Sequence, residues 1–505
     1  MDHIRLQLSP CRSACPIGQN CQAYIQQIQR GQSDRALSTL LETNPLAGTL
    51  GYICHQPCQQ ACTRLEVDGE PVAIRALKRF LVENVALPAP APLREFRPEL
   101  VGILGSGPAG LMAAWELRRC GYKVNVYDTD TTPGGNLTRV IPEFRLPQKV
   151  ALADIEWIER WGVEFHLGFQ IGQGRDFETF RKQHHALLLA TGGGQPMWLN
   201  IDGEDAVNVC AALPFLKAVK AGQTPDLGTS VVVIGGGNVA IDAALTAKRL
   251  GIASVRVVCL EKKDDMRAFA HSVQEALEEN IGIEYGWGPQ SFARKGNRAI
   301  SLNCRLCVCV WEDQCFAPTF DCAIGKDFPA DYFIVAIGEK PERDYLQSLG
   351  LSFKMESTRF ADPVTLETNL AGVFAAGDMI SGASSVVHAM ASGRRAAVSI
   401  DRYIKGDDLR YGRSYGGPVI HDFNILTANA YPAAQQRCKQ VPVGERIGMR
   451  EIELALDAAH ALEESRRCLN CGVPVGYNDS CWACLPCEVS CPEQALHVTV
   501  PFLIR

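Results

Sequence analysis

A glycine-rich loop that joins an apolar strand to a helix occurs twice in this chain, and this repeat restricts the fold more than any other feature. The first loop follows the strand-like run 100–104, and the second follows the run 231–234. In a parallel sheet such a loop lets the backbone approach a pyrophosphate, which the free N–H groups of the next helix bind. The sequence therefore predicts an α/β fold with two Rossmann-like dinucleotide-binding units.

The first loop has the full spacing of a dinucleotide site. Its glycines are Gly105, Gly107 and Gly110, and the next strand-like run ends at Asp128. Glycine at these positions permits a tight turn, and a carboxylate about 20 residues further on is placed to bind a ribose hydroxyl. We predict that these four residues contact a dinucleotide.

The second loop has the same arrangement and a different acidic residue. Its residues are Gly235, Gly237, Asn238 and Ala240. The next strand-like run ends at Glu261, and a carboxylate there accepts the 2′-hydroxyl of NAD but repels the 2′-phosphate of NADP. Lys262 and Lys263 are the contrary indication, unless they belong to a solvated turn. The balance favours NAD over NADP.

Composition excludes several classes of partner. The chain has 505 residues, of which 47% are hydrophobic and 21% charged, and its net charge is −6. This length allows two or three domains, and no basic surplus exists to attract nucleic acid or an anionic membrane. The N-terminus has no apolar signal-peptide core, and no run approaches the roughly 18 apolar residues of a membrane span. We expect a cytoplasmic protein with no nucleic-acid partner and no membrane span.

The 21 cysteines indicate metal chemistry rather than a disulfide scaffold, because the chain is long and many of them crowd near its two ends. Near the C-terminus, the cysteines of one run have the C-x2-C-x2-C-x3-C-P spacing of bacterial ferredoxins, which holds a cubane 4Fe–4S cluster. They are Cys481, Cys484, Cys487 and Cys491. Either Cys491 closes this cluster or it reaches a different one.

Further motifs are specific enough to indicate a family. They are Gly134-Gly135, the segment IPEFRLP at 141–147, Ala190-Thr-Gly192, Ala336-Ile-Gly338 and Ala376-Gly-Asp378. Together they resemble the small (β) subunit of glutamate synthase and its relatives, over nearly the whole chain. This resemblance implies FAD on the first loop, the nicotinamide nucleotide on the second, and cofactor contacts from Gly134, Gly135, Arg145, Gly377 and Asp378. A structural role is the alternative for single residues: Arg145 could pair with Glu143, and His388 could be an ordinary helix histidine.

The segment Gly372-Val-Phe-Ala-Ala-Gly-Asp378 and the helix-like run up to Tyr403 rejoin the first unit, which indicates that the second unit is inserted in the first. We predict an N-terminal helical iron–sulfur domain at 1–95, an FAD-binding domain in two parts at 96–227 and 341–405, an NAD(P)-binding domain at 228–340, and a C-terminal extension with the ferredoxin-like segment at 406–505.

The resemblance extends to the N-terminal two-cluster domain that glutamate synthase small subunits share with dihydropyrimidine dehydrogenase. It is carried by Cys11-x3-Cys15-Pro16 and Cys54-x3-Cys58-x3-Cys62. In the family one cluster also takes a C-x2-C pair from an upstream segment, and this chain has the same signature near its C-terminus, in Arg467-Cys468-Leu-Asn-Cys471-Gly. We hypothesise that Cys468 and Cys471 fold back to complete a cluster with Cys11 and Cys62.

The second N-terminal cluster would use Cys15, Cys54 and Cys58. Its fourth ligand in the family is a Glu or Gln, and the matching position here is Lys78. A protonated lysine offers no lone pair to a metal. Cys21 is the alternative ligand, unless it is simply a buried helix cysteine. With the ferredoxin-like run, about three 4Fe–4S clusters are expected.

Another group of cysteines occurs in strand-like sequence of the second unit. Its members are Cys304, Cys307, Cys309, Cys315 and Cys322. A redox disulfide between Cys304 and Cys307 is disfavoured, because residues i and i+3 of a strand point to opposite faces. We interpret all five as packing residues.

The resemblance implies an electron-transfer flavoprotein subunit that carries electrons between NAD(H) and iron–sulfur clusters through FAD. Its partner would be a larger catalytic or ferredoxin-like subunit, in a glutamate synthase-like complex or a 2-oxoacid, aldehyde or aromatic-acid oxidoreductase. A free-standing NAD(P)H reductase of ferredoxin or of a small molecule is the first alternative. A cluster scaffold or redox sensor without enzymatic activity is the second.

Overall fold

The computed structural model of the chain describes residues 8–93, 95–171, 176–312, 315–353, 360–413 and 430–471. The ferredoxin-like cysteines Cys481, Cys484, Cys487 and Cys491 lie outside these ranges. Within the described ranges, no helix has both the length and the apolar character needed to cross a bilayer.

Short helices with one apolar face form the N-terminal part of the chain. The second of them buries Tyr24, Ile25 and Ile28, and the side chain of Asn20 caps its first turn by accepting a hydrogen bond from the backbone N of Ala23. The helices are α1 (Pro10–Ala14), α2 (Cys21–Gln29), α3 (Ser33–Leu41), α4 (Ala47–Ile53), α5 (Pro57–Gln60), α6 (Leu65–Asp68) and α7 (Ile74–Asn84).

The first nucleotide unit is a parallel sheet with its central strand at the glycine loop. Its strands are β1 (Leu100–Leu104), β2 (Lys123–Asp128), β3 (Val163–Leu167) and β4 (Ala186–Leu189), and its helices are α8 (Pro108–Arg119), α9 (Asn136–Arg139), α10 (Gln148–Glu159) and α11 (Phe177–Lys182). Strand β1 lies between β2 and β4. Strands β1 and β4 are almost continuously apolar, because helices and loops cover both faces of the sheet.

The second unit follows with a similar parallel sheet. Its elements are β5 (Gln195–Pro196), β6 (Val209–Ala211), α12 (Ala212–Lys220), β7 (Ser230–Ile234), α13 (Asn238–Arg249), β8 (Ser254–Cys259), α14 (Ala270–Glu278), β9 (Gly282–Tyr285), β10 (Trp287–Lys295), β11 (Arg298–Glu312), β12 (Cys315–Pro329), β13 (Tyr332–Val335) and β14 (Glu339–Lys340). Helix α15 (Arg343–Ser348) follows and packs on the first unit, with Leu346 in the same apolar cluster as Leu104 and Leu189. The parallel sheet has the order β6-β13-β7-β8-β9. Strands β10, β11 and β12 form a separate antiparallel sheet, here called the β-arm (residues 287–329).

The chain then returns to the first unit. Strand β15 (Val373–Ala375) pairs with β4, which completes a sheet of order β15-β4-β1-β2-β3. Helices α16 (Asp378–Ser381) and α17 (Val386–Lys405) follow. The predicted fold class is confirmed: two Rossmann-like units, the second inserted in the first, follow an N-terminal helical part. The exact domain boundaries stay predictions.

The last described segment crosses back to the N-terminal helices. Residues 430–471 contain helix α18 (Ala458–Arg466), which packs against α2 and α7. The N-terminal helices also share one continuous apolar core with the first unit, in which Tyr24 and Leu50 belong to the same cluster as Trp115 and Trp157. The two parts therefore pack as one body.

A buried carboxylate fixes this contact. Asp154 on α10 accepts hydrogen bonds from the backbone N of Gly48 at 3.1 Å and of Thr49 at 2.7 Å, at the start of α4. These N–H groups have no partner within their own helix, so the carboxylate of another unit satisfies them. Burial raises the pKa of Asp154 to about 6.

We predict that Asp154→Asn makes stability less dependent on pH. The pKa of an aspartate in an unfolded chain is about 4, so the folded state binds this proton more tightly. The stability that this carboxyl contributes is present at acid pH and is lost as the pH rises from about 4 to about 6. Melting temperatures across this window should fall less in the variant than in the wild type. Asp34→Asn, at an exposed position of α3, is the control, and parallel profiles for all three proteins would contradict the prediction.

Candidate functional site

The first glycine loop lies at the carboxyl end of β1 and leads into α8. Gly105 has a positive φ of 106°, and a Cβ there would lie 2.3 Å from the carbonyl oxygen of Ala190. On α8, a Cβ on Gly110 would lie 2.0 Å from the carbonyl oxygen of Gly105. In contrast, a Cβ on Gly107 would meet no described atom within 4 Å. The loop is therefore packed tightly on the sheet side and open at Gly107, which fits a pyrophosphate bound at a helix N-terminus.

Asp128, at the end of β2, holds this loop in place. Its Oδ2 accepts hydrogen bonds from the backbone N of Ser106 at 2.8 Å and from the Ser106 hydroxyl at 2.5 Å. The same hydroxyl accepts a hydrogen bond from the backbone N of Gly134 at 3.0 Å. Sequence reasoning missed Ser106, whose one signal is its place inside the loop. A ribose contact from Asp128 stays a prediction, for which a carboxylate with four lone-pair sites retains capacity.

The other residues predicted for this cofactor gather at the same helix end. A Cβ on Gly135 would lie 3.0 Å from Cα of Gly107, so the Gly134-Gly135 turn rests on the first loop. Gly377 lies against Ala109, near the start of α8. Asp378 accepts a hydrogen bond from the Ser384 hydroxyl at 2.6 Å, and burial raises the pKa of Asp378.

The second loop repeats the geometry of the first. A Cβ on Gly235 would lie 2.2 Å from the carbonyl oxygen of Ala336, whereas one on Gly237 would meet no described atom within 4 Å. The side-chain oxygen of Asn238 accepts a hydrogen bond from the backbone N of Phe269 at 2.9 Å, and Ala240 is fully buried in α13. This hydrogen bond fixes the segment that follows β8 to the start of α13.

Glu261 lies directly against this loop. A Cβ on Gly236 would lie 2.4 Å from Oε2 of Glu261, so the carboxylate sits over the glycines as a ribose ligand requires. Glu261 and the second glycine loop line a cavity of 1120 Å³. The same cavity reaches Ser384, beside Asp378, and extends to Cys54 and His55 of the N-terminal part. A dinucleotide in this cavity would touch all three parts of the molecule.

Arg145 lies at the boundary between the two nucleotide units. Its Nε donates to Asp242 on α13 at 2.8 Å, and it also forms an ion pair with Glu275 on α14. These two carboxylates raise the pKa of Arg145, although burial opposes them. The alternative pairing with Glu143 does not occur, since Glu143 lies 3.7 Å from Lys220 instead. A cofactor contact from Arg145 stays a prediction.

A column of stacked rings joins the three parts beside the cavity. The ring of His55 stacks on His388 of α17 at 5.2 Å between centroids and on Phe269 of the second unit at 6.0 Å. Nδ1 of His388 lies 2.8 Å from the Ser385 hydroxyl. His388 is therefore a satisfied helix histidine, and it also forms a contact to the segment after Cys54 that sequence reasoning missed.

Four cysteines from distant positions line one small cavity. They are Cys11, Cys62, Cys468 and Cys471. The hypothesis named the same four thiols as ligands of one cluster. No group of three or more Cys, His, Asp or Glu among the described residues has the geometry to hold a single metal ion. That these thiols bind a cluster stays a prediction.

A buried guanidinium brings Cys468 and Cys471 to this cavity. Arg467 has no exposed surface, and it donates to the carbonyl oxygens of Ala433, Pro71 and Glu70 at 2.9 Å each and to the Glu464 carboxylate at 2.9 Å. The side chain of Gln22 on α2 donates to that of Asn470 at 2.7 Å. These contacts fix the segment to the N-terminal helices.

The second predicted thiol set surrounds Lys78. This lysine is 5% exposed. Burial lowers its pKa, but the negative charge of nearby cysteine thiolates outweighs burial and raises it; these are Cys54, Cys58, Cys15 and Cys21. The thiol of Cys21 hydrogen-bonds those of Cys11 and Cys58, and this contact lowers the pKa of Cys11 to about 7. Cys21 therefore lies between the two predicted clusters, within reach of either.

The cysteines of the β-arm differ from the packing prediction. Cys304 and Cys307 are both buried, because a register shift between Arg305 and Leu306 places them on the same side despite their spacing. The prediction was wrong for the other three, since Cys309, Cys315 and Cys322 are exposed. They lie where the β-arm extends beyond the core. No two of the described cysteines form a disulfide bond.

Comparison with known families gives two matches. The family described as pyridine nucleotide-disulphide oxidoreductase matches residues 100–393. The family described as dihydropyrimidine dehydrogenase domain II, 4Fe-4S cluster, matches residues 5–87. The two ranges coincide with the nucleotide units and with the cysteine-bearing N-terminal helices.

Relatives of known name align over most of the chain. The chain is 30% identical to the NADP(+)-dependent formate dehydrogenase subunit beta of Moorella thermoacetica, over 92% of this chain and 70% of that protein. It is 31% identical to the glutamate synthase (NADPH) small chain of Azospirillum brasilense, over 78% of this chain and 86% of that protein. It is also 31% identical to the NAD-dependent dihydropyrimidine dehydrogenase subunit PreT of Escherichia coli O157:H7, over 79% of this chain and 92% of that protein.

Solved structures support the fold. FprA from Mycobacterium tuberculosis in complex with NADPH superposes with a TM-score of 0.53 over 61% of this chain and 85% of that chain, at 16% identity. At this identity the likeness concerns the fold alone.

We predict that Arg467→Lys loosens the segment that carries Cys468 and Cys471. A lysine cannot reproduce the fork of donors, and each buried carbonyl left without a partner costs about 1–3 kcal/mol. Hydrogen exchange of the amides in 458–471 should become faster. The neighbouring Arg466 is exposed and pairs with Glu463 on its own helix, so Arg466→Lys is the matched control. Equal exchange rates in both variants would contradict this role.

Proposed function

The chain belongs to the pyridine nucleotide-disulphide oxidoreductase family and is an FAD-dependent NAD(P)H oxidoreductase with 4Fe–4S clusters, and we propose that it carries electrons between NAD(H) and a larger partner subunit. Its relatives include named subunits of formate dehydrogenase, glutamate synthase and dihydropyrimidine dehydrogenase. The partner would supply the chemistry beyond electron transfer, and a ferredoxin-like subunit is the other candidate.

One observation carries the cluster part of this proposal: Cys11, Cys62, Cys468 and Cys471 line a common cavity. These thiols come from opposite ends of the described chain, and a shared ligand set explains why Arg467 is buried to hold the later pair. We propose Cys15, Cys54, Cys58 and Cys21 as ligands of a second cluster. Cys481, Cys484, Cys487 and Cys491, outside the described residues, are proposed to hold a third.

The large cavity supports a short route between the redox groups. It is bounded by the second glycine loop, by Ser384 on the side of Asp378, and by Cys54. The chemistry that FAD and the clusters supply when bound is the conversion of a two-electron hydride transfer into single-electron steps. The protein would orient the nucleotide through the Gly235–Gly237 loop and Glu261, and would hold FAD through Gly105, Gly107, Gly110 and the Gly134-Gly135 turn.

Glu261 supports NAD as the nucleotide, because its carboxylate would face the 2′ position of the ribose. The named relatives divide on this point: PreT is named as NAD-dependent, whereas the formate dehydrogenase and glutamate synthase subunits are named for NADP(H). We propose NAD for this chain on the strength of Glu261.

We predict that Cys468→Ser combined with Cys471→Ser removes about four iron atoms per chain, the content of one cubane. Under anaerobic conditions, NADH should bleach the flavin in both wild type and variant, and the variant should lose one reduced-cluster signal in electron paramagnetic resonance. Cys120→Ser, at an exposed cysteine of the chain, is the control. Unchanged iron would overturn the ligand set. Flavin bleaching without any cluster signal in the wild type would overturn the electron-transfer function.

We predict that Glu261→Gln raises the preference for NADPH over NADH by about tenfold, because it removes a like charge from beside the 2′-phosphate. The measurement is the ratio of kcat/KM for the two nucleotides with an artificial electron acceptor. Asp265→Asn removes the same charge from the exposed end of the turn Lys263–Asp265 and is the control. A similar change in both variants would mean that overall charge, not the position of Glu261, sets the preference.

A further inference from the structure

The cavity has a strongly aromatic wall on the side of Glu261. Trp287 stands at the start of the β-arm, directly after β9, and Trp311 and Phe320 come from β11 and β12. All three line the same cavity as Glu261 and the second glycine loop. The antiparallel β-arm thus contributes aromatic side chains to the cavity that contains Glu261.

The root of the β-arm is fixed against the second unit. A Cβ on Gly288 would lie 2.0 Å from the ring of Phe320, so this ring fills the space that the glycine leaves. Trp287 packs edge-on to Phe328 at 6.1 Å between centroids. Trp287 and Phe320 are therefore packed within the sheet at the root of the β-arm.

Trp311 carries a cation on its ring. The guanidinium of Arg267 lies 4.2 Å from the centroid of Trp311, and Phe316 contacts the same indole edge-on at 5.4 Å. Arg267 forms no salt bridge with another described residue, and its guanidinium contacts this ring instead. A guanidinium stacked on an indole presents a flat, polarised surface of the kind on which nucleobases stack.

The covalent structure of a dinucleotide determines which part of it can lie next to Glu261. In a dinucleotide the adenine is bonded to the ribose whose 2′-hydroxyl would donate a hydrogen bond to Glu261. The base must therefore lie in the part of the cavity next to Glu261. Arg267 and Trp311 line the same cavity as Glu261.

We propose that Trp311 and Arg267 form the adenine subsite, with the base stacked on this pair. The inference rests on the proposed placement of the nucleotide at the second loop. It assigns to the β-arm a role in binding the adenosine half of NAD(H), which the glycine loop and Glu261 do not provide.

The test separates the two halves of the nucleotide. With the full-length holoprotein, the Kd of ADP-ribose measured by calorimetry should rise about tenfold in Trp311→Ala, the effect of losing one stacked base. Trp311→Phe retains a ring and should recover most of the affinity. The Kd of nicotinamide mononucleotide, which has no adenine, should stay unchanged in both.

Trp198 is the matched control, because it also lines the cavity but lies beside Met197, which contacts Gly338 of the second unit. Trp198→Ala should leave the Kd of ADP-ribose unchanged. An unchanged Kd of ADP-ribose in Trp311→Ala, or an equal loss in Trp198→Ala, would overturn the adenine subsite. Flavin bleaching by saturating NADH in Trp311→Ala would show that the proposed function stands even if the subsite fails.

Discussion

The burial of Arg467 is the interaction on which the arrangement of redox sites depends. A guanidinium without exposed surface is costly unless all its donors are used, and here carbonyl oxygens and the buried Glu464 carboxylate use them. Glu464 in turn accepts from the backbone N of Ala73, so the charge pair joins two backbones as well as two side chains. This single contact positions Cys468 and Cys471 beside Cys11 and Cys62 and so joins the two ends of the described chain.

Electron transfer weakens steeply with distance, and a chain built from separate units must therefore hold them in fixed positions. Asp154 ties the N-terminal helices to the first nucleotide unit, and Arg145 ties that unit to α13 and α14 of the second. The ring of His55 then touches both His388 and Phe269. His55, Phe269 and Arg145 line one cavity, to which all three parts of the chain contribute.

Lys78 is the position at which this chain differs from what its motifs imply. It puts a buried cation beside Cys15, Cys54 and Cys58, where the resemblance implies a Glu or Gln. A cation beside a cluster stabilises its reduced, more negative state. The motifs of the glycine loops do not predict the β-arm, whose aromatic side chains line the same cavity as the second loop.

The sequence by itself determined the two Rossmann-like units, the insertion of one in the other and the residues of both loops, because glycine spacing and apolar strands are local properties of the chain. It also pointed to Cys468 and Cys471 through a short motif. Only the tertiary structure decided what those residues meet. Ser106 and Asp154 have no role that a motif could show, and Arg467 stands in the motif without revealing what it binds, since their hydrogen-bond partners lie far away in sequence. The exposure of Cys309 follows from where the β-arm leaves the core. Periodicity shows which side of a strand a residue faces, but what lies on that side depends on how the units pack.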